Sequence, residues 1–143
     1  MPKFSESEFS SQWLLSCVEA LHETMLARNG VGIAAPQVYI SKRIIIVASR
    51  PNLRYPDAPE MDAIVMVNPE IMSTSERMIL GEEGCLSVAG ERGNVHRAES
   101  IQVKFFNVNG ELKIQKFIGF PARIVQHEID HLDGILFVDR IAL

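Results

Sequence analysis

Two histidines near the end of the chain have the spacing of metal ligands on a helix. His127 and His131 are four positions apart, so in a helix of about 3.6 residues per turn their side chains lie on one face, one turn apart. Glu128 directly follows the first histidine, where its carboxylate can act as general base toward a water molecule on the metal. The same segment, HEIDH, could instead be a polar helix end with solvated histidines, because so short a pattern also occurs by chance.

A catalytic metal site needs a third protein ligand and one open coordination position. One class of metalloproteases continues as H-x-x-G-x-x-H, and here Gly134 is in place but Phe137 stands where the last histidine is required. A second class uses a glutamate further downstream, and no glutamate follows Glu128. The third ligand is therefore expected upstream. The cysteines and histidines available there are Cys17, His22, Cys85 and His96.

Cys85 is the strongest of these candidates. It lies in residues 81–87 (GEEGCLS), where glycines flank two carboxylates and let the backbone approach a site closely. For a cysteine taken alone, a buried and inert thiol is the alternative. Cys17 fits that alternative, because it falls on the apolar stripe of a predicted amphipathic helix. The stripe consists of Trp13, Leu14, Cys17, Val18, Leu21 and Met25.

The two other histidines are expected to lie away from the site. His22 is on the same predicted helix beside Glu23 and is interpreted as solvated. His96 lies among charged residues, which is typical of an exposed loop. Arg92 and Arg97 in that segment could reach substrate carbonyls, but an exposed, solvated pair is the favoured interpretation.

Three separated segments resemble the signature motifs of the peptide deformylase family. They are residues 30–37 (GVGIAAPQ), 83–87 (EGCLS) and 126–134 (QHEIDHLDG), in the family's order and at similar separations. The resemblance extends from the first predicted helix to about residue 139. Ile33 replaces the leucine that is usual in the first motif, a volume-conserving change that is not expected to affect activity.

The resemblance assigns roles to individual residues. It implies that Cys85, His127 and His131 hold the metal. The catalytic glutamate of the family corresponds to Glu128. Gln37 and the backbone N–H of Leu86 would meet the oxygen of the formyl group.

The resemblance also suggests how substrate would bind. Val31 and Gly32 would line the groove and pair with the peptide backbone. Glu83 and Phe120 would lie near the pocket for the methionine side chain. As alternatives, Val31 is a small apolar residue in a turn, and Glu83 pairs with Arg123 or Arg92.

The implied activity is removal of the N-formyl group from the formyl-methionine of nascent polypeptides, which releases formate. The implied cofactor is one divalent metal ion, with Fe(II) expected in cells and Zn(II), Ni(II) or Co(II) able to replace it, since a thiolate is a soft ligand. A metallopeptidase is one alternative, but it needs the third ligand that is absent downstream. A non-catalytic metal-binding module is another, and it would need a fourth protein ligand rather than Glu128 or Gln37.

Composition agrees with a cytoplasmic enzyme. The 143 residues are expected to form one domain, 1–143, with enough apolar residues (47%) for a core. A net charge of −4 argues against general nucleic-acid binding. Two cysteines do not form a disulfide framework, and neither a signal peptide nor a membrane span is found. The expected partners are N-formyl-methionyl peptides, with no membrane, and we expect a monomer.

The sequence pattern predicts an α+β fold with antiparallel or mixed sheets packed around a central metal-binding helix, plus an N-terminal helix. A capping box of Ser5 and Glu8 is predicted to open the first helix, which ends near residues 28–30. Residues 44–48 and 64–68 are predicted strands. Alternation over 101–105 and the pair Asn109-Gly110 predict a hairpin that returns to residue 118. Pro121 and Gly134 suit the start and end of the metal helix.

The chain's ends differ from those of typical bacterial members of the family. Those members continue into a long basic C-terminal helix, whereas here residues 137–143 contain one arginine balanced by one aspartate. We interpret the chain as a short version that lacks this helix, either an accessory or a phage-borne copy. Because lysine and arginine bind RNA phosphates, strong ribosome association is not expected.

Overall fold

A computed structural model describes residues 11–28, 30–38, 40, 42–49, 51, 58–85 and 88–135, with the backbone alone for residues 38, 84, 85 and 88–92. Two α-helices and seven strands account for most of them. In chain order the elements are α1 (Gln12–Ala27), β1 (Gly32–Ala34), a 3-10 helix (Ala35–Val38), β2 (Ile44–Ser49), β3 (Met61–Thr74), β4 (Met78–Cys85), β5 (Val88–Ala98), β6 (Ser100–Phe106), β7 (Leu112–Ile118) and α2 (Phe120–Leu132).

The strands form two antiparallel sheets. Five strands are ordered β1-β2-β3-β6-β7, and β4 pairs with β5 in a separate two-stranded sheet. The two helices pack on opposite faces of the larger sheet. Successive residues of a strand point to opposite faces, so neighbouring residues of β2 enter different cores. Thus Ile45 and Val47 join the core under α2, whereas Ile44 and Ile46 join the core under α1. The predicted α+β architecture is confirmed.

Helix α1 follows its predicted apolar stripe with one exception. Leu14, Cys17, Leu21 and Met25 are buried, but Trp13 is 50% exposed, so its predicted burial was wrong. Each helical residue turns by about 100°, which places position 13 at the margin of the stripe centred on position 14. The described helix is capped by the side chain of Ser11, which accepts from the Leu14 N–H, and the predicted capping box at residues 5 and 8 lies outside the described residues.

The predicted strands are present, and β3 extends well beyond residues 64–68. Its pairing with β6 shifts register between Val67 and Glu70, beside Asn68, whose φ is 51°. A bulge at this point accommodates Pro69, which has no N–H for the ladder. The β4–β5 pair was not predicted, because the seven glycine and charged positions in residues 81–84 and 91–94 hide the alternation of apolar and polar residues.

The predicted hairpin at Asn109-Gly110 exists, but its loop is longer than a two-residue turn. The last pair of β6 and β7 is Phe106 with Leu112, so residues 107–111 form the connection. The side-chain oxygen of Asn107 accepts from the N–H groups of Asn109 and Glu111. Gly110 takes the left-handed conformation, with φ 82°.

Helix α2 is buried over most of its length. Every residue from Ala122 to Leu132 is buried. As predicted, Pro121 lies in its first turn, and Gly134 follows its end with φ 76°. Within the described ranges, neither α-helix has the length and apolar character needed to cross a membrane.

Candidate active site

The two histidines of α2 face one point in the interior. Both side chains are buried, and their rings meet edge to face with centroids 5.0 Å apart. Their Nε2 atoms are separated by 3.3 Å. Two nitrogen ligands about 2.0–2.1 Å from one tetrahedral ion would be about 3.3–3.4 Å apart. The observed separation therefore fits a shared metal ion, with both imidazoles as ligands.

Glu83 of β4 fixes the orientation of the first imidazole. Its Oε1 lies 2.8 Å from Nδ1 of His127, and the carboxylate is only 3% exposed. Burial alone would raise the pKa of Glu83, but hydrogen bonds and positive charge from His127 and Arg97 lower this pKa to about 2. An ionised Glu83 accepts the Nδ1 proton, which leaves the Nε2 lone pair of His127 for a metal.

Arg97 binds the other side of the same carboxylate. Its Nε and Nη2 donate to the two oxygens of Glu83, each at 2.9 Å, and its Nη1 donates to Asp130 at 2.6 Å. Arg97 is 4% exposed, so the expectation of an exposed, solvated arginine was wrong. Position 97 is buried because β5 turns it toward α2, where two carboxylates compensate its charge. The side chain of Arg92 lies outside the described residues.

Arg123 is a further partner of Glu83. This pairing was one of the two alternatives that the sequence offered for Glu83. Its Nη1 donates to Oε2 of Glu83 at 2.6 Å. The carboxylate is thus enclosed by His127 and two guanidinium groups. This environment compensates the charge of a buried carboxylate and holds it in one orientation.

Glu128 is buried where β1 crosses α2. It is 5% exposed, and the strand residue beside it is Gly32. A Cβ atom added to Gly32 would lie 2.5 Å from Oε2 and 2.9 Å from Cγ of Glu128, and 2.9 Å from Cγ2 of Ile124. Only a glycine leaves this space, so the first motif and the helix of the third motif fit against each other at the glutamate.

The side chain of Gln37 is held by the backbone of the last residue of β1. Its Oε1 accepts from the Ala34 N–H at 2.8 Å. An amide oxygen that accepts a backbone hydrogen bond fixes the orientation of the whole amide group, including its two N–H donors.

Other expected site residues are described only in part. Cys85 is the last residue of β4, two positions beyond Glu83, and its side chain lies outside the described residues, as does Leu86 entirely. Val31 is half-buried, and its carbonyl accepts from Ala48 N at 2.7 Å. Phe120 opens α2 and packs against the core under that helix. Among the side chains that are described, no three His, Cys, Asp or Glu residues cluster as metal ligands.

Sequence reasoning missed most of the polar residues buried around the histidines. Arg97, Gln126 and Asp130 are buried, and so is Arg123, which it named only as an alternative partner of Glu83. The amide of Gln126 exchanges two hydrogen bonds of 3.0 Å with the backbone of Ala98. A signal was available, because positions 123, 126, 127 and 130 form a polar stripe at helical spacing. Their partners on β5 could not be found without the unpredicted β4–β5 pairing.

Two converging imidazoles on a buried helix, with a glutamate beside them and a carboxylate behind one ring, are typical of metal-dependent hydrolases. A sequence model of the family described as polypeptide deformylase matches residues 3–143. Peptide deformylase 2 of Nostoc sp. is 52% identical over 124 residues, covering 87% of this chain and 69% of the relative. Peptide deformylase 2 of Shewanella oneidensis is 48% identical over 134 residues, covering 94% and 70%.

Solved structures give the same result. A Met-Ala-Ser-bound class I type b peptide deformylase from Acinetobacter baumannii superposes with a TM-score of 0.96 at 67% identity, covering 97% of this chain and 87% of the other. The peptide deformylase of Thermotoga maritima has a TM-score of 0.85 at 34% identity, covering 99% and 87%. The chain belongs to the peptide deformylase family, whose members are metal-dependent hydrolases that act on formyl-methionyl peptides.

Proposed function

We propose that α2, the end of β4 and the 3-10 helix form the centre at which this chain removes the formyl group from N-formyl-methionyl peptides. The observation that carries this assignment is the 3.3 Å separation of the two buried Nε2 atoms, with Glu83 bonded behind His127. Glu128 lies on the same helix between the two histidines in sequence. The substrates are nascent polypeptides, and we therefore place the activity in the cytoplasm, carried out by a monomer.

The metal ligands in this proposal are Cys85, His127 and His131. Two imidazoles and one thiolate are a donor set suited to iron and zinc, and the thiolate reduces the positive charge of the ion. We propose Fe(II) as the ion in cells, replaceable by Zn(II), Ni(II) or Co(II). When bound, the ion supplies Lewis acidity toward the formyl carbonyl and lowers the pKa of water.

Glu128 is the proposed general base and acid. Its carboxylate accepts a proton from the attacking water as the water oxygen bonds to the formyl carbon. It then delivers that proton to the leaving nitrogen as the C–N bond breaks, which gives formate and a free amine. The close approach of Gly32 restricts the positions that the buried carboxylate can take.

Gln37 and the backbone N–H of Leu86 are the proposed donors to the formyl oxygen as it gains negative charge. The bond from the Ala34 N–H to the Gln37 oxygen supports this role, because it fixes the orientation of the side-chain amide. Donors fixed before the reaction need no reorganisation in the transition state. Loss of one such donor typically lowers turnover by about 10²–10³-fold.

The peptide is proposed to bind along β1. This strand forms an edge of the five-stranded sheet, and an extended peptide can add to such an edge by backbone hydrogen bonds from Val31 and Gly32. Phe120 is proposed for the methionine pocket. Glu83 is buried with both oxygens bonded, so we assign it the positioning of His127 instead of direct contact with substrate.

The relative from Acinetobacter baumannii holds Met-Ala-Ser, a tripeptide that begins with methionine. This supports formyl-Met-Ala-Ser as a test substrate. The metal-loaded chain is expected to release formate from it and to leave Met-Ala-Ser intact. Cleavage of the Met–Ala bond without formate release would instead identify a metallopeptidase, and metal binding without either reaction would identify a non-catalytic module.

A further inference from the structure

Arg123 joins α2 to both strands of the β4–β5 sheet. Its Nη2 donates to the carbonyl oxygen of Ile79 on β4 at 2.6 Å, and its Nη1 donates to that of Val95 on β5 at 2.9 Å. Nη1 also donates to Glu83 at 2.6 Å. The side chain is buried. One planar guanidinium therefore binds several acceptors on two strands, a geometry that the single ammonium of a lysine cannot reproduce.

Gly81 provides the space for this guanidinium. A Cβ atom at Gly81 would lie 2.8 Å from Cζ and 2.9 Å from Nε and Nη2 of Arg123. Gly81 does not have a positive φ, so its backbone conformation is open to other residues and only the space requires glycine. The two residues are thus matched, a missing side chain on β4 and a buried guanidinium on α2.

The β4–β5 sheet depends on such contacts for its position. Among the described residues its strands form a sheet separate from the five-stranded one, and a two-stranded sheet alone is marginally stable. Its polar contacts with α2 include those of Arg123, the ion pair of Arg97 with Asp130 and the bonds of Gln126 with Ala98. β4 carries Glu83 and ends at Cys85. Its placement along α2 therefore sets where these two residues stand relative to the histidines.

We propose that Arg123, seated on Gly81, is a positioning residue that fixes β4 against α2 and so holds the metal-binding geometry. This inference rests on the proposed function, because it takes Cys85 and the two histidines as ligands. Arg123 acts through Glu83 and the strand and does not contact substrate. Its loss weakens metal binding and lowers kcat, while KM for the formyl peptide is unchanged.

The test is a double-mutant cycle with metal affinity as its main readout. Arg123→Ala, Gly81→Ala and the double variant are compared by competition for Zn(II) with a chromophoric chelator and by thermal unfolding of the metal-free proteins. Each single change is expected to weaken metal binding on the order of tenfold or more, as loss of supporting groups does elsewhere. Gly81→Ala is expected to add little once Arg123 is gone, because the atoms it would meet are absent.

Arg77→Ala is the matched control. Arg77 is an exposed arginine paired with Glu99 at 3.2 Å, and its removal is expected to change neither metal affinity nor kcat. Arg123→Lys keeps the charge but not the fork, and it is expected to behave like Arg123→Ala. If Arg123→Ala does not fold, Gly81→Ala and Arg123→Lys give the same test with smaller changes.

Two outcomes would overturn the inference. One is wild-type metal affinity in folded Arg123→Lys and Gly81→Ala. The other is full additivity of Gly81→Ala and Arg123→Ala, which would show that the two positions act independently. Failure of the proposed function is distinguishable, because the wild-type chain itself would then neither bind metal tightly nor release formate.

Discussion

At the residue scale, the site depends on two glycines that leave room for functional side chains as well as on those side chains themselves. Gly32 and Gly81 each lie where a Cβ atom would enter the position of a functional side chain, Glu128 in one case and Arg123 in the other. The first contact concerns the proposed base and the second the proposed support of the metal ligands. Gly32→Ala is therefore expected to affect catalysis, whereas Gly81→Ala is expected to affect metal binding.

Gly32→Ala is predicted to lower kcat without loss of metal. The added methyl group displaces the Glu128 carboxylate, and a misplacement near 1 Å can reduce turnover by about 10²-fold. Formate release and metal content of the same preparations are the measurement. In a Glu128→Ala background the change at Gly32 should have a much smaller effect on turnover, because only the contact with Ile124 remains. A second loss as large as the first would contradict the proposed route through the glutamate.

The two cysteines are predicted to differ in their response to metal. Cys17 is buried under α1, and burial raises the pKa of its thiol, so it should resist iodoacetamide until the protein unfolds. Cys85, as a proposed ligand, should be alkylated in metal-free protein and protected by saturating Zn(II). Peptide mass spectrometry reads both sites, and equal labelling of Cys85 with and without metal would remove it from the ligand set.

At the element scale, β4–β5 and α2 are two parts that share one site. The β4–β5 sheet has its own hydrogen-bond ladder. It contacts α2 through buried ion pairs of Glu83, Arg97, Arg123 and Asp130. Sequence periodicity predicted β2 and α2, because apolar runs and helical spacing reflect local burial. It could not predict the burial of Arg97 or the pairing of β4 with β5, since these depend on contacts between distant segments.

Metal removal is therefore predicted to destabilise the β4–β5 sheet before the rest of the domain. A proposed ligand lies at the end of β4, whereas β2 is buried between both helices. Amide hydrogen exchange should rise on chelation in peptides from residues 78–85 and 93–98 and stay nearly constant in residues 44–49. An equal rise in both regions would mean that the metal stabilises the whole domain without a preferred element.

At the scale of the whole molecule, α2 is enclosed by the five-stranded sheet on one side and the β4–β5 sheet on the other. The family, the fold class and the helix with its two histidines could be predicted from the motifs, and the comparisons confirm the family. The packing around α2 could not be predicted, because it depends on the close fit of Gly32 and Gly81 against side chains of that helix. Such complementarity depends on three-dimensional contact and leaves no periodic signal in the sequence.

The most direct measurement is formate release by metal-loaded wild-type protein and by Glu128→Gln, with metal content determined for both. The substitution keeps the size of the side chain and removes the group that carries the proton, so both proteins should fold and hold metal. Loss of general acid–base catalysis should lower turnover by about 10²–10⁴-fold. If metal-loaded Glu128→Gln kept more than about a tenth of wild-type turnover, Glu128 would not be the general base and the account of this site would be wrong.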